Sequence, residues 1–298
     1  MGPSRETIKR AAPFLTPLVR AWHRRLTAWR SRDPYVARHA PFLAPARFDR
    51  VYFDNRGNHP TQHLRTTRRF VEVSGADVLV VGCRHGRELP LWLDAGVRSV
   101  TALDYVPRHD AWDRYRHAGR RLRFLSGDAR RLPFRDGAFD IVSSEALLEH
   151  VQQPDRAIAE FHRVVKPQGL VFSIFGPLYF TAGGAHYGGE FEHLLQSDEA
   201  FGRWLRQRNA PGDDEGLGYL EAGMFSRWRA EQYLRTFEAY EVLSSAVFLS
   251  PEARRFRQRR PADWTRLRDT YDERDLLISG LAFWSRARAA GGAAQGGM

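Results

Sequence analysis

The chain has 298 residues with 43% apolar content, enough for one enlarged α/β domain with additions and too apolar for a chain without a core. Its single cysteine, Cys83, excludes an intramolecular disulfide and a multi-cysteine metal site, and no secretory signal or membrane-spanning apolar run is present, so a cytoplasmic protein is expected. The net charge of +11 resides in residues 1–70, which hold 15 basic and 4 acidic residues, while the other 31 and 31 cancel. Nearly all the basic residues are Arg, a usage that a GC-rich genome also produces, so the charge argues little for a nucleic-acid partner.

Residues 1–70 read as a basic N-terminal arm. Phe14, Leu15, Leu18, Trp22, Leu26 and Trp29 recur at helical spacing, with Arg20, Arg24, Arg25 and Arg30 largely on other faces. Such a helix either docks its apolar face on the domain, covering the ligand, or makes peripheral contact with an anionic membrane surface. From Asp33 to His63 the chain reads as an irregular connection whose Tyr52, Phe53, Asn55 and His59 are placed at the rim of the site.

The stretch 77–104 organises the rest of the chain. Val78 to Val81 form a buried strand, Gly82 and Gly86 bracket a turn, Leu89, Trp92 and Leu93 mark one face of a helix, and Ser99 to Leu103 form a second strand closing on Asp104. A helix N-terminus behind small residues receives the anionic end of a ligand, and a carboxylate at the next strand tip accepts ribose hydroxyls. Asp104 lies 22 residues after Gly82, near the expected distance of about 20. A helix from Pro107 to about Ala118, strands at Leu122–Leu125 and Ala138–Ser143, a helix through Ile158–Val165 and a strand at Leu170–Phe175 complete the alternation.

Five punctuating elements in order then narrow the family: Gly127-Asp128-Ala129, Leu132-Pro133-Phe134, Phe139-Asp140, Leu148-Glu149-His150 and Lys166-Pro167-Gln168-Gly169. At these positions the chain resembles the class I S-adenosylmethionine (SAM) dependent methyltransferases. A dinucleotide fingerprint would need Gly at 84 and 87, and both are Arg. The resemblance implies a doubly wound, mostly parallel seven-stranded sheet, the Rossmann-like class I α/β fold, with a helical arm and a lid insertion. Its segments are the arm at 1–70, a SAM-binding core at 71–177, a lid or substrate insertion at 178–226, a C-terminal part of the core at 227–289 and a disordered tail at 290–298.

The resemblance also implies the ligand set for SAM: Gly82, Cys83, Arg84 and Gly86 in the first loop, Asp104 and Tyr105 at the ribose, Asp128 and Ala129 at the adenine, and Ser144 and Glu145 after the fourth strand. Two loop positions depart from the family. Val80 stands where an acid is usual, and Arg84 stands where Gly is usual. An Arg at positive φ costs roughly 1 to 2 kcal/mol, and its guanidinium would offset the missing acid by pairing with the methionine carboxylate.

Residues 178–225 are too long for an ordinary strand-to-helix connection and read as a lid. GPLYF, His186 and FEHLL there loosely resemble family members that modify bacterial carbohydrates or small metabolites. A helix near Arg227–Phe237, a strand at Tyr240–Leu249, an Arg-rich helical stretch at 252–269 and a last strand within Leu276–Ala287 return the chain to the sheet.

His186, His150 and Glu145 are the candidate catalytic groups. No metal site is expected, because the spacing of His186, Glu190 and His193 is irregular. Two functions stand: SAM-dependent methylation of a small molecule, foremost O-methylation of a sugar or other small metabolite, or a catalytically degenerate fold that binds another ligand or a protein. In the first, an anionic acceptor would be drawn by the arm's charge and would meet His186 near the transferred methyl. The oligomeric state is not legible.

Overall fold

The computed structural model describes residues 48–52, 60–186, 189–208 and 221–288. The chain divides after Arg47, and all of these residues belong to the second unit. The apolar face at Phe14–Trp29, the rim positions Phe53, Asn55 and His59, and the tail at 290–298 lie outside the described residues.

The described elements, in chain order, are β1 (Arg50–Tyr52), α1 (Pro60–Thr67), β2 (Asp77–Val81), α2 (Leu89–Asp94), β3 (Ser99–Asp104), α3 (His109–Trp112) and β4 (Leu122–Ser126). Next come β5 (Phe139–Glu145), α4 (Pro154–Val164), β6 (Val165–Phe175), α5 (Glu192–Leu195), α6 (Asp198–Arg208) and α7 (Ala230–Glu238). The chain closes with β7 (Glu241–Leu249), α8 (Pro251–Arg259), α9 (Pro261–Thr270), α10 (Glu273–Leu277) and β8 (Ile278–Arg286).

The sheet has eight strands in the order β1-β7-β8-β6-β5-β2-β3-β4, and β8 runs antiparallel to both neighbours. The seven-stranded expectation is thus one strand short. The extra strand, β1, lies in what the sequence reads as arm: Arg50 to Tyr52 pair in parallel with Ala246 to Phe248, and the Tyr52 ring stacks on Phe248 at 5.0 Å. Chain order reverses between β2 and β5, which are hydrogen-bonded neighbours, so a crevice opens at their carboxyl ends.

Sequence and packing agree in β2, where Val78 to Val81 are at most 1% exposed. Alternate side chains point to opposite faces. Val78 and Val80 join a cluster with Leu89, Trp92, Val100 and Ile141. The expected helix after Pro107 is one turn, α3, followed by a 3-10 stretch with a kink at Gly119. The Arg-rich stretch is two helices, each opening on a proline, Pro251 and Pro261, which fits the first turn because proline lacks an N–H.

At the amino ends of the strands, Lys166 Nζ reaches Asp140 at 2.7 Å, and Asp140 also accepts the Asp77 N–H at 2.9 Å. A Cβ on Gly169 would come within 2.5 Å of the Asp140 carbonyl, so the Lys-Pro-x-Gly glycine answers a close backbone approach. These motif residues hold the sheet together, far along the strands from the crevice.

His162 pins α4 to β8. Its Nδ1 lies 2.8 Å from the Ile158 carbonyl, its Nε2 3.0 Å from the Ser285 hydroxyl, and its ring stacks on Tyr240 at 3.5 Å. Burial pushes its pKa from 6.5 down to about 4. A depressed value means the stabilisation is present above pH 6.5 and is lost as pH falls through about 4. Between pH 7 and pH 4, His162→Gln should lose about 2 to 3 kcal/mol less stability than the natural chain in denaturant titrations; equal losses would contradict the assignment.

Candidate active site

Beyond β2 the chain turns tightly back over β3. The Gly82 and Cys83 N–H groups both donate to the Leu103 carbonyl, at 2.8 and 3.2 Å. Arg84 N–H then donates to Asp104 Oδ2 at 2.6 Å, and Val106 N–H donates to Asp104 Oδ1 at 3.0 Å. Each carboxylate oxygen keeps a further lone-pair direction. Arg84 adopts φ +43°, the left-handed region, and its carbonyl accepts the Trp112 indole N–H at 2.8 Å.

A cavity of about 350 Å³ opens above these groups, lined among others by Gly82, Arg84, Asp104, Tyr105, Asp128, Ala129, Leu147, His150 and Met224. Gly82 has φ +79°, and a Cβ there would meet the Leu147 side chain at 3.0 Å, so only glycine leaves this wall in place. At the far wall, Arg130 clamps the Asp128 carboxylate, with Nη2 to Oδ2 at 2.7 Å, and holds its pKa below the usual range.

Four expected ligands, Cys83, Gly86, Ser144 and Glu145, fall outside this cavity. Cys83 is 1% exposed and packs into the cluster behind the loop, where burial pushes the thiol pKa up. Gly86 packs against Leu89 and Tyr115 instead of lining the cavity. Ser144 is on β5 with its hydroxyl 3.0 Å from that of Ser173, because the strand continues to Glu145 and alternation turns Ser144 into the sheet.

Glu145 borders a second cavity of about 240 Å³ with Pro177, Gly183, Ser250 and Glu252. Ala146, at φ +51°, lines both cavities. The Glu145 carboxylate lies 3.4 Å from Nδ1 of His63, a residue that sequence reasoning missed because it is 82 positions away on α1.

His150 lines the first cavity from the 3-10 turn Leu148–His150. Its Nδ1 faces the Met224 carbonyl at 3.0 Å, so that nitrogen carries the proton. The His186 ring sits 4.6 Å from it. Burial, then the neighbouring His150, push the His186 pKa down to about 3, so its ring is neutral near pH 7. Glu149, next to His150 on the same turn, is 2% exposed, and burial pushes its pKa up to about 8. The set His186, Glu190, His193 is not assembled: Glu190 pairs with Arg259, and His193 Nε2 donates to the Tyr179 carbonyl at 2.7 Å. Ala222, Gly223 and Met224, at the end of the expected lid, also line the cavity, and no sequence signal marks them.

A family described as "Methyltransferase domain" matches residues 79–173, which contain the turn after β2, Asp104, Asp128 and the Leu-Glu-His turn. Residues 79–173 thus match a methyltransferase domain. Among similar proteins, the malonyl-[acyl-carrier protein] O-methyltransferase of Pectobacterium atrosepticum is 37% identical over 98 residues, 33% of this chain and 38% of that protein. The demethylmenaquinone methyltransferase of Renibacterium salmoninarum is 38% identical over 101 residues, 33% of this chain and 40% of that protein. An uncharacterized methyltransferase of Mycobacterium tuberculosis is 30% identical over 160 residues, 52% of this chain and 61% of that protein. The chain thus spans about two fifths of the length of the first two.

The methyltransferase domain supports SAM as cofactor, and the cavity fits it. The glycine wall at Gly82 and the lone pairs left on Asp104 are what a nucleoside needs at this crevice. Because Arg84 holds a backbone conformation suited to glycine, Arg84→Gly should raise stability by roughly 1 kcal/mol, a Tm gain of about 2 to 4 °C. An unchanged or lower Tm would show that Arg84 side-chain contacts outweigh the strain.

Proposed function

We propose that this chain is a SAM-dependent methyltransferase of a small molecule, with an oxygen of a sugar or other small metabolite as acceptor. The observation that carries the reading is the Asp104 carboxylate, held at the β3 tip by two backbone N–H groups and facing the 350 Å³ cavity. SAM supplies an electrophilic methyl on a sulfonium. Asp104 takes the ribose hydroxyls, Tyr105 and Ala129 flank the ligand, and Asp128 receives the adenine amino group while Arg130 fixes its plane.

The second cavity suits the acceptor, since Ala146 is common to both walls. Glu145 is the group placed there to orient an acceptor hydroxyl and take its proton, with His63 beside it. Alignment and exclusion of water then account for most of the work of an in-line transfer. The O-methyltransferase name of the Pectobacterium relative supports oxygen as the acceptor atom. An anionic acceptor draws no support from this cavity, whose charged lining residues are Glu145 and Glu252.

Calorimetric titration with SAM or S-adenosylhomocysteine tests the reading. The natural chain should bind, and Asp104→Ala should weaken binding by roughly 1.5 to 3 kcal/mol, about 10- to 150-fold. No affinity in the natural chain would favour a degenerate or repurposed fold.

A further inference from the structure

The Leu148–His150 turn brings together groups that methyl transfer does not require. One carboxylate oxygen of Glu149 and one imidazole nitrogen from each of His150 and His186 lie within 4.8 Å of one another. We propose that these three side chains hold a divalent transition-metal ion, of the zinc or cobalt kind, at the wall of the cofactor cavity.

Four observations carry this. Glu149 is 2% exposed; its Oε1 accepts the Gly176 N–H at 2.9 Å, while its Oε2 has no hydrogen-bond partner among the described residues. A buried carboxylate with one bare oxygen takes up either a proton or a cation. His150 gives its Nδ1 proton to the Met224 carbonyl at 3.0 Å, leaving Nε2 as the lone-pair nitrogen. That is how a metal-ligating histidine is usually oriented: its other ring N–H goes to a carbonyl or carboxylate.

His186 is held at φ +63°, a conformation that L side chains rarely adopt, by a turn in which its N–H donates to the Gly183 carbonyl at 2.8 Å. The donor set also decides the ion. Two imidazoles with one carboxylate suit zinc-like ions and not calcium or magnesium, which take oxygen ligands. Bonds of about 2.0 to 2.2 Å to a common centre put ligand atoms roughly 3.4 Å apart, so separations within 4.8 Å close by at most about 1.4 Å to bind.

The turn is built to stay in place. The Ser226 N–H donates to the Glu149 carbonyl at 2.7 Å, and the Tyr233 hydroxyl donates to the Leu148 carbonyl at 3.0 Å. Because His150 also lines the cofactor cavity, an ion held here borders the ligand bound in that cavity. Binding of the ion does not depend on which ligand the cavity takes.

The test is a Co2+ titration of the full chain after dialysis against a chelator, followed by visible absorption and by Tm. One equivalent should give the d–d bands of a low-coordinate nitrogen and oxygen site and raise Tm. Glu149→Gln and His186→Gly should each weaken binding on the order of 100-fold; the glycine suits the backbone at 186, so that variant keeps the fold. His109→Gln, at a histidine outside the cluster, should leave the titration unchanged. Absence of the bands up to millimolar Co2+, or bands that persist in His186→Gly, would overturn the proposal and leave a proton on Glu149.

Discussion

The two hydrogen bonds accepted by the Asp104 carboxylate are the constraint on which the site depends. One comes from Arg84 in the turn after β2 and one from Val106 in the turn after β3, so a single side chain fixes both lips of the crevice. Bonds to a charged acceptor contribute more than neutral ones, about 1.5 to 3 kcal/mol each. The turn is tied again from outside, where Trp112 donates to the Arg84 carbonyl and stacks on Phe124 at 4.7 Å. This double restraint lets a non-glycine residue persist at φ +43°.

The amino ends of the strands serve stability. Arg163 joins Glu160, Asp136 and the carbonyls of Leu132 and Phe134, while Glu160 also accepts the Leu132 N–H at 2.7 Å. Thus Leu132-Pro133-Phe134 is bound to α4. Of the five motifs that carry the family resemblance, the first and fourth reach the cavity, through Asp128, Ala129 and His150, and the other three fasten the sheet. The division arises from chain direction, since a parallel sheet gathers its loops for ligands at one end.

Legibility in the sequence tracks locality. Asp104 can be read because strand, turn and helix signals are contiguous, and the Val78–Val81 run has no other plausible fate than a buried strand. β1 escapes because three residues, Arg50 to Tyr52, carry no period of their own and become a strand only on pairing with β7. Ser144 falls outside the cavity because β5 ends at Glu145, two residues beyond the expected end at Ser143, which changes which face the hydroxyl takes. His63 beside Glu145, Met224 beside His150 and His186 against His150 arise from tertiary contacts across long stretches of chain, for which a single sequence holds no signal.

We propose Asp104 as the ribose partner in the cofactor cavity. A crystal structure of the chain with S-adenosylhomocysteine tests it most directly. Ribose hydroxyls should lie within hydrogen-bonding distance of both Asp104 oxygens, with the adenine between Tyr105 and Ala129 and the sulfur end toward Ala146. A nucleoside bound elsewhere, or a cavity closed with the Asp104 carboxylate turned away from the ligand, would contradict it.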